Sequence, residues 1–221
     1  MALLDRIRGL LRLFLVRFER QPIRDKAALV AFLRSRSAYV AQTALFGYLK
    51  TRMGTQYREI FQDPAFAQPL ALAQRQVFLD CLADLTVFAV SLTEGGRLDA
   101  MACRTAAAAC FTEAANAGLP EEGPEVDEAG SAFDERLLLV NWETAHIGEN
   151  AFTQSPEGLV QAAPVIEGYK DLDREIVINS IRFRWHDVRR QFRDRADLEA
   201  LSVALGGCLD RGRSCASKDL I

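Results

Sequence analysis

Apolar residues recur at helical intervals along most of the chain, and nowhere more densely than from Leu70 to Leu92. There Leu72, Val77, Cys81, Leu85, Phe88 and Leu92 mark one face, while Leu79, Leu82, Val87 and Ala89 widen the stripe toward an all-round apolar surface. A helix apolar on most sides belongs in the middle of a bundle. Gln74, Arg75, Asp80 and Asp84 make the stretch too polar for a membrane span. The pattern therefore predicts a buried core helix, closed by Gly95-Gly96.

The same periodicity predicts the neighbours. Asp25 is placed to cap a helix running to about Met53, with Leu29, Phe32, Leu33, Tyr39, Val40, Thr43, Phe46 and Leu49 on its apolar face and Gly54 at its end. Residues 55–62 read as a short connector. Asp63-Pro64 is a helix start, and Pro69 allows a bend before the core helix. Leu98 to Ala115 reads as a further helix whose alanine run, 106–109, lets a neighbour approach closely. Residues 116–130, with three Gly, two Pro and five acidic side chains, read as an exposed acidic loop. Beyond it, Ser131 is expected to cap a helix reaching about Ile147, although Leu137 to Val140 also fits a short buried strand. Residues 148–168 are punctuated by Gly and Pro and read as irregular. Lys170 to Arg195 is the last long helix, with Ile176, Val177, Ile181, Trp185, Val188 and Phe192 as its stripe. Asp194 or Asp197 is placed to cap a final short helix ending at Gly206-Gly207. The expected fold is all-α, a single bundle of about six or seven helices. Its parts are an amphipathic N-terminal helix (1–21), a core bundle (22–115), the acidic loop (116–130) and C-terminal helices (131–210) packing on the core.

The N-terminal stretch changes this picture most. Leu3, Ile7, Leu10, Phe14 and Phe18 follow helical spacing, and Arg6, Arg8, Arg12 and Arg17 punctuate them. Arg12 interrupts an apolar run too short for a span, and no small-residue cleavage site follows, so neither a secretory signal nor a transmembrane helix is expected. A helix of this kind lies in the interface of an anionic membrane, or docks on a partner protein or on its own bundle. Charge supports the first use. Residues 1–62 carry 12 Lys/Arg against 4 Asp/Glu, a net of +8, so the chain total of −3 leaves −11 for the remainder. The acidic whole argues against nucleic acid as a partner. The Arg-rich run from Arg182 to Arg195 is interleaved with Asp187 and Asp194 and reads as a solvated face.

Candidate chemistry is sparse. The five cysteines, Cys81, Cys103, Cys110, Cys208 and Cys215, follow neither a disulfide framework nor zinc spacing. The first three lie in apolar helical surroundings, where a thiol behaves as a small hydrophobe in a reducing compartment. Glu143 and His146 form half of a di-iron E-x-x-H pattern, but Phe183 stands where the second half, ending at His186, would need a glutamate. No metal and no cofactor is expected. Asp80 and Asp84 lie one turn apart on the core helix; facing inward they would hold a cation or share a proton, and otherwise they would pair with arginines. These two aspartates with His146 and His186 are the candidates for catalysis. No G-x-S-x-G elbow, phosphate-binding loop or G-x-G-x-x-G is present.

The strings YLKTRMGTQY (48–57), FQDP (61–64) and FLDCLADLT (78–86) resemble a group of helical alphaproteobacterial proteins of unknown function, across about a fifth of the chain. Some members carry a generic esterase label. The resemblance implies a bacterial, intracellular protein, and through that label a hydrolase. No residue read above supplies an esterase site. The leading expectation is a non-enzymatic helical interaction protein, held peripherally at the cytoplasmic membrane face by residues 1–21. An esterase-like hydrolase with polar residues around the core helix is the alternative.

Overall fold

The computed structural model describes residues 21–94, 99–118 and 126–206. The N-terminal amphipathic helix expected over residues 1–21 lies almost wholly outside the described residues, as do the glycine stop at Gly95-Gly96, residues 119–125 of the acidic stretch and the tail with Cys208 and Cys215. The described residues are all-α: α1 (Lys26–Met53), a 3-10 turn (Gly54–Gln56), α2 (Tyr57–Ile60), α3 (Pro64–Glu94), α4 (Ala100–Gly118), α5 (Val126–Leu137), α6 (Gln154–Ala162) and α7 (Glu167–Arg195). A further helical run covers 198–206.

Local chemistry sets several of these boundaries. The Asp25 carboxylate accepts from the Ala28 N–H at 2.8 Å and opens α1, and Gly54 closes it with φ of 55°. Asp63 accepts from the Ala65 N–H at 2.9 Å at the start of α3, and Asp197 accepts from the Ala200 N–H at 3.2 Å at the start of the last run. Pro69 lies inside an unbroken α3 rather than at a bend before it. There it removes the backbone bond its missing N–H would have made and sets its ring against the carbonyl of Ala65.

α3 is the axis of the bundle, packed by α1, α4 and α6. Every residue from Cys81 to Val90 is buried, which is the all-round burial its composition predicts. Among the described residues it is the one helix long and apolar enough to cross a membrane, and 83% of that apolar window is buried inside the bundle. The smooth face of α4, with Ala106, Ala107, Ala114 and Ala115 buried, lets α3 and α1 approach it closely. Across the middle, Phe88 meets Phe152 at 5.5 Å and Phe192 at 6.0 Å between ring centres, and Phe152 meets Trp185 at 4.7 Å. These aromatic contacts clamp α7 to α3.

Four expectations are corrected. Helix α5 starts at Val126, inside the stretch read as loop, and ends at Leu137. Ser131 therefore sits within a helix rather than capping one, and 138–151 run through turns rather than a helix or a strand. The segment read as irregular contains α6. Finally, Leu72, Ile176 and Tyr39 point outward from the stripes to which they were assigned, being 47%, 73% and 44% exposed.

Candidate functional site

Asp84 is fully buried on α3 and organises the interior polar groups. It accepts from Arg136 Nη2 at 2.7 Å, from the Ser155 N–H at 2.8 Å and from the Gln154 N–H at 3.2 Å. Helix α6 has no side-chain cap of its own at Thr153, so Asp84 supplies one from a different helix. Arg136, reaching in from α5, also donates to the Ala151 carbonyl at 2.7 Å and to Gln154 Oε1 at 2.8 Å. Ser155 Oγ accepts from Trp185 Nε1 of α7 at 2.9 Å. One carboxylate thus ties α3, α5 and α6 together, and the Ser155 hydroxyl extends the tie to α7. Burial pushes its carboxyl pKa upward, and the Arg136 charge pulls it back.

Asp80, one turn earlier, has a different setting. Gln76 Nε2 donates to it at 3.1 Å. Its other carboxylate oxygen lies against the α6 backbone at Gly158, where an added Cβ would come within 1.9 Å of it. Burial raises its pKa to about 7, with the Gln76 hydrogen bond pulling down and the Asp84 charge pushing up. Each aspartate therefore has its own partners, and a shared proton is not what holds them. Cys81 is buried between them in sequence, and burial pushes its thiol well above the ordinary value, so it is an unreactive core residue.

The two histidines are separated from the aspartates. Among the described residues no hydrogen bond joins His146 or His186 to Asp80 or Asp84. His146 Nδ1 lies 3.0 Å from Ser91 Oγ, a serine–histidine pair that the sequence reading did not find. Ser91 is 1% exposed, its hydroxyl donates to the Trp142 carbonyl at 2.7 Å, and it accepts from the His146 N–H at 3.0 Å. With its proton committed to a carbonyl and its oxygen out of solvent, Ser91 fastens the 142–146 turns to α3 rather than attacking a substrate. Glu143 and His146 lie in those turns and not on a helix, so the E-x-x-H spacing does not set both side chains on one helical face. His186 is exposed on α7 beside a cavity of about 280 Å³ lined by Gly148, Arg189, Arg190, Arg193 and Asp194.

Large exposed apolar side chains occur at several places, among them Met101, Leu138, Leu139 and Val203, and α7 carries four of them along one side. Its inward residues are Val177, Ile181, Trp185, Val188 and Phe192. On the opposite side, Leu172, Ile176 and Phe183 are exposed, with Tyr169 half-exposed at the same end. An open groove of about 640 Å³ adjoins that end, lined by Leu72, Ala73, Ala162, Ile166 and Lys170 among others. At the far end of α7, Ile23 donates to the Arg195 carbonyl at 2.9 Å and accepts from the Asp197 N–H at 3.0 Å, while Arg195 reaches the Gln21 carbonyl. Gln21 and Ile23 are therefore anchored at the Arg195 end of α7. The residues expected to meet a membrane or a partner, Leu3, Arg6, Ile7, Arg8, Leu10, Arg12, Phe14, Arg17 and Phe18, all lie outside the described residues.

No protein-family model, no curated protein and no solved structure matches the chain.

Proposed function

We propose that this chain is a non-enzymatic helical interaction protein, an adaptor whose body presents the outer face of α7 to a partner. Residues 1–20 hold it at the inner, anionic face of the cell membrane. The observation that carries the reading is the division of labour in α7: one side anchors the core, and the other leaves large apolar side chains in water. Scattered exposed apolar residues need no explanation, but Tyr169, Leu172, Ile176 and Phe183 share one helical face, and such a grouping marks an interaction surface.

Two features support the membrane part. The segment 1–20 combines Arg6, Arg8, Arg12 and Arg17 with Leu3, Ile7, Leu10, Phe14 and Phe18 in amphipathic order. Gln21 and Ile23, which follow it in the chain, are anchored at the Arg195 end of α7. Each basic residue near an anionic surface contributes roughly 1 kcal/mol, which gives reversible attachment. The hydrolase alternative draws no support from the interior, where Asp84 caps a helix and Ser91 fastens a turn.

The test is co-sedimentation of the full chain with anionic and neutral vesicles at low and high salt. Binding to anionic vesicles alone, weakened by salt and lost when Arg6, Arg8, Arg12 and Arg17 are together replaced by alanine, is the expected result. Undiminished binding by that quadruple variant would refute the role of residues 1–20.

A further inference from the structure

The outward row on α7 has a stricter order than exposure alone requires. Tyr169, Leu172, Ile176, Asn179, Phe183 and His186 follow one another at alternating intervals of three and four, the spacing of a coiled-coil seam. Leu172, Ile176 and Phe183 are 72%, 73% and 77% exposed and have no cover among the described residues, while the Tyr169 ring at the start of the seam carries the Arg52 guanidinium of its own chain at 4.6 Å. Glu175 and Arg182 flank it on one edge, both exposed.

We infer that this seam pairs with the same seam of a second copy, the two α7 helices running antiparallel about a twofold axis near Ile176 and Asn179. This deepens the interaction reading above and rests on it. In that register Leu172 packs on the partner's Phe183, Ile176 on the partner's Asn179, and Tyr169 on the partner's His186. Symmetry repeats each contact, as an isologous interface requires.

The flanking charges select the second copy as occupant. The register that seats Leu172 on the partner's Phe183 also brings Glu175 alongside the partner's Arg182, twice per dimer. Arg182 Nε already lies 3.3 Å from Glu149 of its own chain. A guanidinium has five donors, so it bridges a second carboxylate without losing the first. Parallel pairing fails on charge, because it stacks Arg190 on the partner's Arg190 and Arg193 on the partner's Arg193 along the axis. The antiparallel overlap, from Tyr169 to His186, leaves those arginines beyond its ends. An anionic lipid surface fits the overlap from Tyr169 to His186 less well, because Glu175 flanks it as closely as Arg182 does and Arg190 and Arg193 continue the row only beyond it. The overlap is about 27 Å long at 1.5 Å per residue, which suits a reversible dimer.

Sedimentation velocity of the full chain over micromolar concentrations tests the pairing. The unmodified chain is expected to show a concentration-dependent monomer–dimer equilibrium. Glu175→Arg and Arg182→Glu each place like charges across the interface twice, and each alone is expected to weaken association by about tenfold. Mixed together, the two variants present opposite charges at every flanking position, so the mixture is expected to recover the original association. Thermal melts of each variant check that the monomer is intact. A full chain that stays monomeric at about 100 μM, well above the micromolar range of a reversible dimer, would overturn the pairing. So would a mixture that associates no better than its parts. The same preparations, scored for vesicle binding, keep the two readings apart. A monomer that still binds anionic vesicles overturns the pairing alone. Vesicle binding lost in Ile176→Asp at concentrations where the unmodified chain is itself monomeric gives the seam to lipid and overturns the pairing as well.

Discussion

The interior around Asp84 and the outer face of α7 are opposites. In the first, polar groups are satisfied: a carboxylate, a guanidinium, two backbone N–H groups, a serine and an indole satisfy one another out of water. In the second, apolar side chains stand in water with their burial still to be gained. Polar groups are consumed by the fold in one place, and apolar surface is left in water in the other. The contrast makes a definite forecast: changes inside should cost stability, and changes on the α7 seam should cost association.

The largest stability loss is expected for Asp84→Ala, about 3–5 kcal/mol, because it strands the Arg136 guanidinium and uncaps α6 together. Chemical denaturation of the purified variant measures it. Next comes Gly158→Ala, whose methyl meets the Asp80 carboxylate and should cost about 1–3 kcal/mol. The same change on an Asp80→Ala background should cost clearly less, a non-additivity that a double-mutant cycle detects.

Asp80→Asn sharpens the comparison through pH. The folded pKa of about 7 lies above the ordinary 3.8, so folding takes up protons between those values. The stability contributed by neutral Asp80 is fully present below about pH 4 and is lost as pH rises through 7. Asp80→Asn should therefore match the parent at low pH and melt higher at pH 8, flattening the profile between. Phe183→Ala should change stability least, within about 0.5 kcal/mol, while reducing self-association. A large fall in its melting temperature would place Phe183 in the fold and break the contrast.

The legible parts of the fold were those written locally. Asp25, Gly54 and the Asp63-Pro64 pair act on their own helix ends, and the breadth of the apolar stripe from Leu70 to Leu92 announced its burial. Helix α6 was hidden because its cap comes from Asp84, far away in sequence, while Thr153 makes no cap bond of its own. The prolines and glycines around it then read as loop. Ser131 misled for the converse reason: a good capping residue is indifferent to lying inside a helix when its neighbours favour one. Asp84 and Asp80 were visible as polar residues in an apolar stretch, but their distinct partners, Arg136 and Gln76, were not. The Ser91–His146 contact left no trace because Ser91 belongs to α3 and His146 to the turns beyond α5. Ile176 sits beside Val177 in sequence and fits the buried stripe by apolarity alone; in a helix that one-residue step turns the side chain by a large angle, which is enough to move it from core to solvent.

Cross-linking tests most directly whether the body works through the outer seam of α7. In the antiparallel register residue 172 lies beside the partner's residue 183, whereas two copies of residue 172 lie about 16 Å apart along the seam, beyond disulfide reach. Under mild oxidation the full-length Leu172→Cys, Phe183→Cys double variant should form a reducible dimer, while either single variant and the parent chain do not. A double variant that cross-links no more than the single ones would contradict it.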